Sequence, residues 1–195
     1  MHHWPELAPL LPRHDLPFWQ RQARRLLATL GWQLQGQLPN QARMVIAVAP
    51  HTSNWDFVIT MAMALALGVK ISFLGKHSIF IGPFGALLRR FGGIAVQRHS
   101  AHGVVGQLVE RFQQQQPLVL GIAPEGTRQK VSQFKSGFWQ IAKGAGVPIL
   151  LLGIDFKTKQ VVVGDLLMPS DDFQADCAQM RLFFQQMTPR FPENF

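Results

Sequence analysis

The sequence predicts a single α/β domain, a mostly parallel central sheet flanked by helices, preceded by an amphipathic helix. Three observations predict it. From residue 44 onward, short apolar runs rich in β-branched residues alternate with helix-length segments, the rhythm of strands joined by crossovers. The chain has 195 residues, enough for one substantial core and short of two. Hydrophobic residues make up 47% and charged ones 15%, a globular composition leaning towards the apolar side.

Taken in order, residues 1–16 are proline-rich and read as irregular. Residues 17–35, "PFWQRQARRLLATLGWQLQ", have helical periodicity: Trp19, Ala23, Leu26, Leu27, Leu30 and Leu34 share one arc, and Arg21, Arg24 and Arg25 the opposite one. The stretch holds no acid, and Trp19 and Trp32 stand near its ends. Two readings are open: a helix lying in a membrane interface with its arginines towards anionic headgroups, or one packed on the domain's own core. Residues 1–43 therefore form an N-terminal segment and 44–195 the main domain.

The expected strands are "MVIAVA" (44–49), "KISFL" (70–74), "GIAVQ" (93–97), "LVLGIA" (118–123), "PILLLGI" (148–154) and "QVVVG" (160–164). Helices fit between them near 54–68, 83–91, 100–115 and 133–145, and "DDFQADCAQMRLFFQQM" (171–187) closes the chain as another. The longest apolar run, "FVITMAMALALGV" (57–69), falls short of the ~20 residues that cross a bilayer and reads as a buried helix. The N-terminus lacks a basic region followed by an apolar one, so no cleaved signal is expected. The lone cysteine, Cys177, excludes an internal disulfide and fits a reducing compartment. A cytoplasmic protein touching the inner face of the membrane is the expectation.

Net charge is +8, unevenly spread. Residues 1–164 hold 17 Lys/Arg against 6 Asp/Glu, while 165–195 hold 2 against 5. A basic body implies an anionic partner. Nucleic acid fits poorly, because basic and aromatic residues do not interleave and no reading motif occurs.

In parallel sheets ligands gather at the carboxyl ends of the strands, and there this chain places its chemistry: "PHTSNWD" after 44–49, "GKHS" after 70–74, "RHS" after 93–97 and "PEGTRQK" after 118–123. His51 and Asp56 would lie on different faces of a continuous helix. They can meet if His51 precedes the helix and Asp56 sits in its first turn. Ser53 and Asp56 match the S-x-x-[DE] capping box, which accounts for Asp56 but leaves His51 unexplained. A histidine beside a carboxylate is held in one tautomer with its imidazolium stabilised, the equipment of a general base. No G-x-S-x-G elbow accompanies the pair, so the group a base here would activate belongs to a substrate.

"PEGTR" (124–128) reads either as a turn, with Pro124 at i+1 and Gly126 at i+3, or as an anion loop. In the second reading Gly126 lets backbone N–H groups approach, Thr127 and Arg128 add donors, and Glu125 orients an arginine or a substrate hydroxyl. Arg98, Lys76 and Lys135 are further cationic candidates. His99 and His102 lack companions at ligand spacing, so no metal site is expected.

In order, these residues resemble the glycerolipid acyltransferase family, whose familiar members are bacterial lysophosphatidic acid acyltransferases. "HTSNWD" (51–56) matches its H-x4-D block, "GGIAVQR" (92–98) resembles the second, "PEGTR" the third and "VPIL" (147–150) the fourth. "FKSGFWQIA" (134–142) resembles the segment that usually follows the third. The second block departs at Ala95 and Gln97, the fourth at Leu151, positions that bear on acceptor and chain recognition.

The resemblance implies that His51 is the base and Asp56 orients it. Arg98, Glu125, Gly126, Thr127 and Arg128 would hold the acceptor, and Val147, Pro148 and Ile149 would help build an acyl channel. It also implies no cofactor. An acyl thioester of acyl-carrier protein or coenzyme A serves as co-substrate, a lysophospholipid as acceptor and an anionic membrane surface as partner. A lyso-aminolipid acceptor and a non-catalytic basic lipid-binding protein are the alternatives.

Overall fold

A computed structural model describes residues 4–96, 103–114 and 116–195. Seven strands form one sheet in the order β1-β7-β6-β2-β5-β3-β4. They are β1 (Gln33–Gln35), β2 (Arg43–Ala49), β3 (Ile71–Lys76), β4 (Gly93–Val96), β5 (Leu118–Ile122), β6 (Ile149–Asp155) and β7 (Gln160–Leu167). Every pairing is parallel except β6 with β7. Strand β2 sits at the centre with Met44, Val45, Ile46 and Ala47 fully buried, as expected of a strand covered on both faces.

Helices α1 (Pro17–Leu30) and α2 (Asn54–Leu67) cover one face, while α4 (Gly103–Gln113), α5 (Gly137–Ala145) and α6 (Phe173–Phe184) cover the other. Helix α3 (Gly82–Arg90) lies at the β3–β4 edge. Val45, Ala47 and Ile149 face one apolar layer with Leu108, Phe138 and Phe184. Met44, Ile46, Leu150 and Leu152 face the other with Leu27, Ile59 and Met63. The alternation along each strand divides the core into two layers.

The N-terminal segment is woven into the same body. Leu11, Ala23, Leu27 and Trp32 are buried in the α1–α2 layer, and β1 pairs with β7. Helix α1 ends at Leu30 and not at residue 35, because Gly31 takes a left-handed conformation (φ 78) and the Gln33 N–H then donates to the Lys159 carbonyl, starting β1. Of the expected apolar arc, Ala23 and Leu27 face inward, while Trp19, Leu26 and Leu30 stay exposed. Arg24 donates to the Ala66 carbonyl at 2.7 Å, so it serves helix packing. Trp32 is a core residue, edge-on to Phe156. Helix α5 starts four residues later than expected, because the Lys135 N–H bonds the Pro124 carbonyl and the Phe134 ring fills the core. Among the described residues no helix is long and apolar enough to cross a membrane.

Candidate active site

Strand β2 ends in a cis Ala49–Pro50 bond and hands the chain to the carboxyl edge of the sheet. Ser53, extended, caps α2: its hydroxyl accepts the Trp55 N–H at 3.2 Å, and the Asp56 carboxylate reaches back to the Ser53 N–H at 2.6 Å. This reciprocal box turns the Asp56 side chain towards the loop before the helix. There Oδ2 also accepts the Thr52 N–H at 2.6 Å, and Oδ1 accepts the Ser53 hydroxyl at 3.0 Å. His51 Nδ1 lies 3.2 Å from the same Oδ2. Asp56 is 1% exposed and the His51 side chain 20%. A carboxylate in this position holds the imidazole with its proton on Nδ1, leaving Nε2 with a lone pair.

His51 and Asp56 line a cavity of about 800 Å³ between α2 and the strands β2, β3 and β5. Its walls divide chemically. Ile46, Val48, Phe57, Met61, Phe73 and Leu152 make an apolar side, and Gly126, Thr127, Arg128 and Gln129 a polar one. The volume suits a drug-sized or larger ligand, and its form suits a molecule with a charged head and a long apolar part. Gly121 contributes space: a Cβ there would sit 3.2 Å from Ile71 Cγ2.

The "PEGTR" loop is both things the sequence allowed. The Gly126 N–H bonds the Ala123 carbonyl at 3.1 Å, closing a turn with Pro124 at its second position. Thr127 and Arg128 nonetheless face the cavity. Gly126 has φ +62, and a Cβ there would meet Lys135 Cδ at 2.7 Å, so Lys135 lies over this glycine. Glu125 points behind the loop: Oε1 accepts the His51 N–H at 2.9 Å, while Oε2 is buried with no hydrogen-bond partner among the described residues. Its visible task is to hold the histidine's backbone.

Burial pushes the Glu125 carboxyl above its usual 4.5, with a smaller push from the Asp56 charge; the N–H donors of His51 and of Glu125 itself pull it down. A carboxyl raised in the native state favours folding below its unfolded value, and that contribution is lost as pH rises through the raised native one. Glu125→Gln keeps an acceptor for the His51 N–H. Its melting temperature relative to wild type is therefore expected to climb as pH rises from about 4.5 through the native Glu125 value. A difference that stays constant with pH in thermal melts would contradict this.

The structure thus brings together His51, Asp56, Glu125, Gly126, Thr127, Arg128 and Lys135. Lys76 ends β3 at the same sheet edge, its side chain lying outside the described residues, as does Arg98. Val147, Pro148 and Ile149 do not line this cavity. They stand at the start of β6, where Val147 and Ile149 are buried in the α4–α6 layer and the Pro148 carbonyl accepts the Val45 N–H. The apolar wall comes instead from α2 and the opposite face of β2 and β6. Phe57, Thr60 and Met61 were missed, although their i, i+3, i+4 spacing from one another marks a common helix face. Cys177 is buried, its thiol pushed up to about 11 by burial, and packs on the α4–α6 side.

The family model Acyltransferase matches residues 33–154. The chain belongs to the acyltransferase family and is an acyl-transferring enzyme. Among solved structures it is similar to the 1-acyl-sn-glycerophosphate (LPA) acyltransferase PlsC from Thermotoga maritima, with a TM-score of 0.63 and 18% identity over 88% of this chain and 77% of that one. At that identity the likeness speaks for the fold. No curated protein matches the chain.

Proposed function

We propose that the enzyme moves a fatty acyl group from a thioester of acyl-carrier protein or coenzyme A to the hydroxyl of a lysophospholipid such as 1-acyl-glycerol-3-phosphate. The observation that carries this reading is the His51–Asp56 pair opening on a cavity with one apolar wall and one basic, glycine-bearing wall. His51 Nε2 takes the proton of the acceptor hydroxyl as its oxygen attacks the thioester carbonyl. The tetrahedral intermediate collapses with cleavage of the C–S bond, and the imidazolium returns the proton to the departing thiolate. Asp56 holds the ring and offsets its transient charge.

Arg128, Thr127 and the Gly126 backbone suit a phosphate head, with Lys135 over Gly126 adding positive charge; Arg98 and Lys76 remain the further cationic candidates of the sequence. Phe57, Met61, Phe73 and Leu152 suit an acyl chain. The surplus of basic residues fits a phosphorylated acceptor, an acidic carrier and the anionic headgroups of an inner membrane face.

The test is transfer of a labelled acyl group from acyl-carrier protein and from coenzyme A to lysophosphatidic acid and to a panel of lysolipids. Preferential acylation of lysophosphatidic acid supports the proposal. Acylation of lyso-aminolipids alone would move the acceptor assignment to the runner-up.

A further inference from the structure

Helix α3 carries a row of apolar side chains that nothing among the described residues covers. Ile81 is 69% exposed, Phe84 61% and Leu87 46%. Spaced three apart from the helix's N-cap onward, they follow one face. The row continues onto α1. A groove of about 310 Å³ joins Leu87, Arg90 and Phe91 to Phe18 and Trp19, whose rings stand edge-to-face in sequence, Phe18 to Trp19 at 5.6 Å and Trp19 to Phe91 at 6.0 Å. Phe18 and Trp19 are about half exposed. Single exposed apolar residues are ordinary, but a contiguous run of this kind marks an interaction surface.

Two observations say what covers it. The first is charge. Arg21, Arg25, Arg89 and Arg90 border the run, all exposed. Among the described residues the carboxylates within 4 Å of a basic side chain are Asp56, beside His51, and Asp171, beside Lys143, so these four guanidiniums have no carboxylate partner. Arg89 lies 5.5 Å over the Phe80 ring, and an apolar strip edged with cations that no carboxylate neutralises is complementary to an anionic lipid surface, apolar below and negative at the headgroups. The second is position. Phe80 packs where a Cβ on Gly75 or Gly93 would stand, 2.7 Å away in each case. By strand alternation that is the side of the sheet on which Ile71 and Phe73 face the cavity. Helix α3 therefore covers the same face as α2, across the β3 wall of the cavity.

We infer that α3, together with Phe18 and Trp19, is the edge that inserts into the anionic membrane, and that it turns the α2–α3 side of the cavity towards the bilayer. This rests on the lipid-acceptor reading for its purpose but not for its test. Of the two readings open for α1, it keeps a membrane contact at the start of that helix, with Arg21 and Arg25 at its border, and adds α3.

The experiment is co-sedimentation of the full chain with vesicles of phosphatidylcholine alone and of phosphatidylcholine with phosphatidylglycerol. Wild type should bind the anionic vesicles, and F84S/L87S should lose about tenfold or more in partitioning with an unchanged melting temperature. R89E/R90E should lose the preference for anionic vesicles. Leu182→Ser removes a still more exposed leucine, 67% exposed, on α6 across the sheet, and should bind like wild type. Equal binding by wild type and F84S/L87S overturns the inference. So does a wild type that binds neither vesicle, or a concentration-dependent dimer that F84S/L87S dissociates. Patch-dependent binding in a protein that acylates no lysolipid supports the docking surface and sinks only the acceptor reading.

Discussion

Replacing His51 with alanine is expected to lower acyl transfer by about 10³-fold or more while leaving the fold in place. The size follows from the step assigned to the ring. Without a base at Nε2 the acceptor must attack as a neutral hydroxyl, and about 4 kcal/mol of barrier lowering is lost. The fold survives because little structure hangs on the imidazole. Its polar contact is Nδ1 with Asp56 Oδ2 at 3.2 Å, and the Thr52 and Ser53 N–H groups continue to satisfy that carboxylate. The backbone N–H of residue 51 stays on Glu125. The loss should fall on kcat more than on KM, since the lipid's head and chain meet other walls of the cavity. Steady-state kinetics beside a circular dichroism melt would decide it. A folded H51A enzyme retaining a tenth of wild-type turnover would remove His51 from the chemistry.

Legibility in the sequence followed the physics of each element. Strands β2, β5 and β6 were readable because both faces are buried, so each is a near-continuous apolar run between turn residues. Strand β1 was not. "QLQ" has one apolar residue, half-buried Leu34, and exists because the Lys159 carbonyl offers a partner to Gln33. A three-residue edge strand has no periodicity to detect.

The His51–Asp56 contact was legible because a capping box and a preceding histidine are local. The cavity's apolar wall was not. In a β6 buried on both sides, sequence does not say which face meets a cavity: Val147 and Ile149 face the α4–α6 layer, while Leu152 lines the cavity. Contacts across the chain were equally invisible: Glu125 under the His51 N–H, the Phe191 N–H on the Thr52 hydroxyl at 3.3 Å, and Arg190 5.2 Å over the Trp55 ring. The last two tie the C-terminal segment to the loop that carries the histidine and to the first turn of α2.

Asp56 is where stability and chemistry cannot be separated by one substitution, and two variants do so. In Asp56→Ala the Thr52 and Ser53 N–H groups and the Ser53 hydroxyl lose their acceptor, in a place where Thr52, Ser53 and Asp56 are all buried. Unmade hydrogen bonds to buried donors and a broken cap together should cost about 3 kcal/mol, read as a lower denaturation midpoint with the slope unchanged. Asp56→Asn keeps an oxygen where Oδ2 now accepts, so most of that stability should return. What it cannot supply is negative charge beside an imidazolium. Acyl transfer in Asp56→Asn should therefore fall about 10²-fold or more in a nearly native fold. Wild-type turnover in D56N would show that the carboxylate is a helix cap and nothing else. An Asp56→Ala enzyme as stable as wild type would show that the cap is not what holds the loop. With both results as expected, one side chain starts α2 and, through the same oxygen, aims His51 at the cavity.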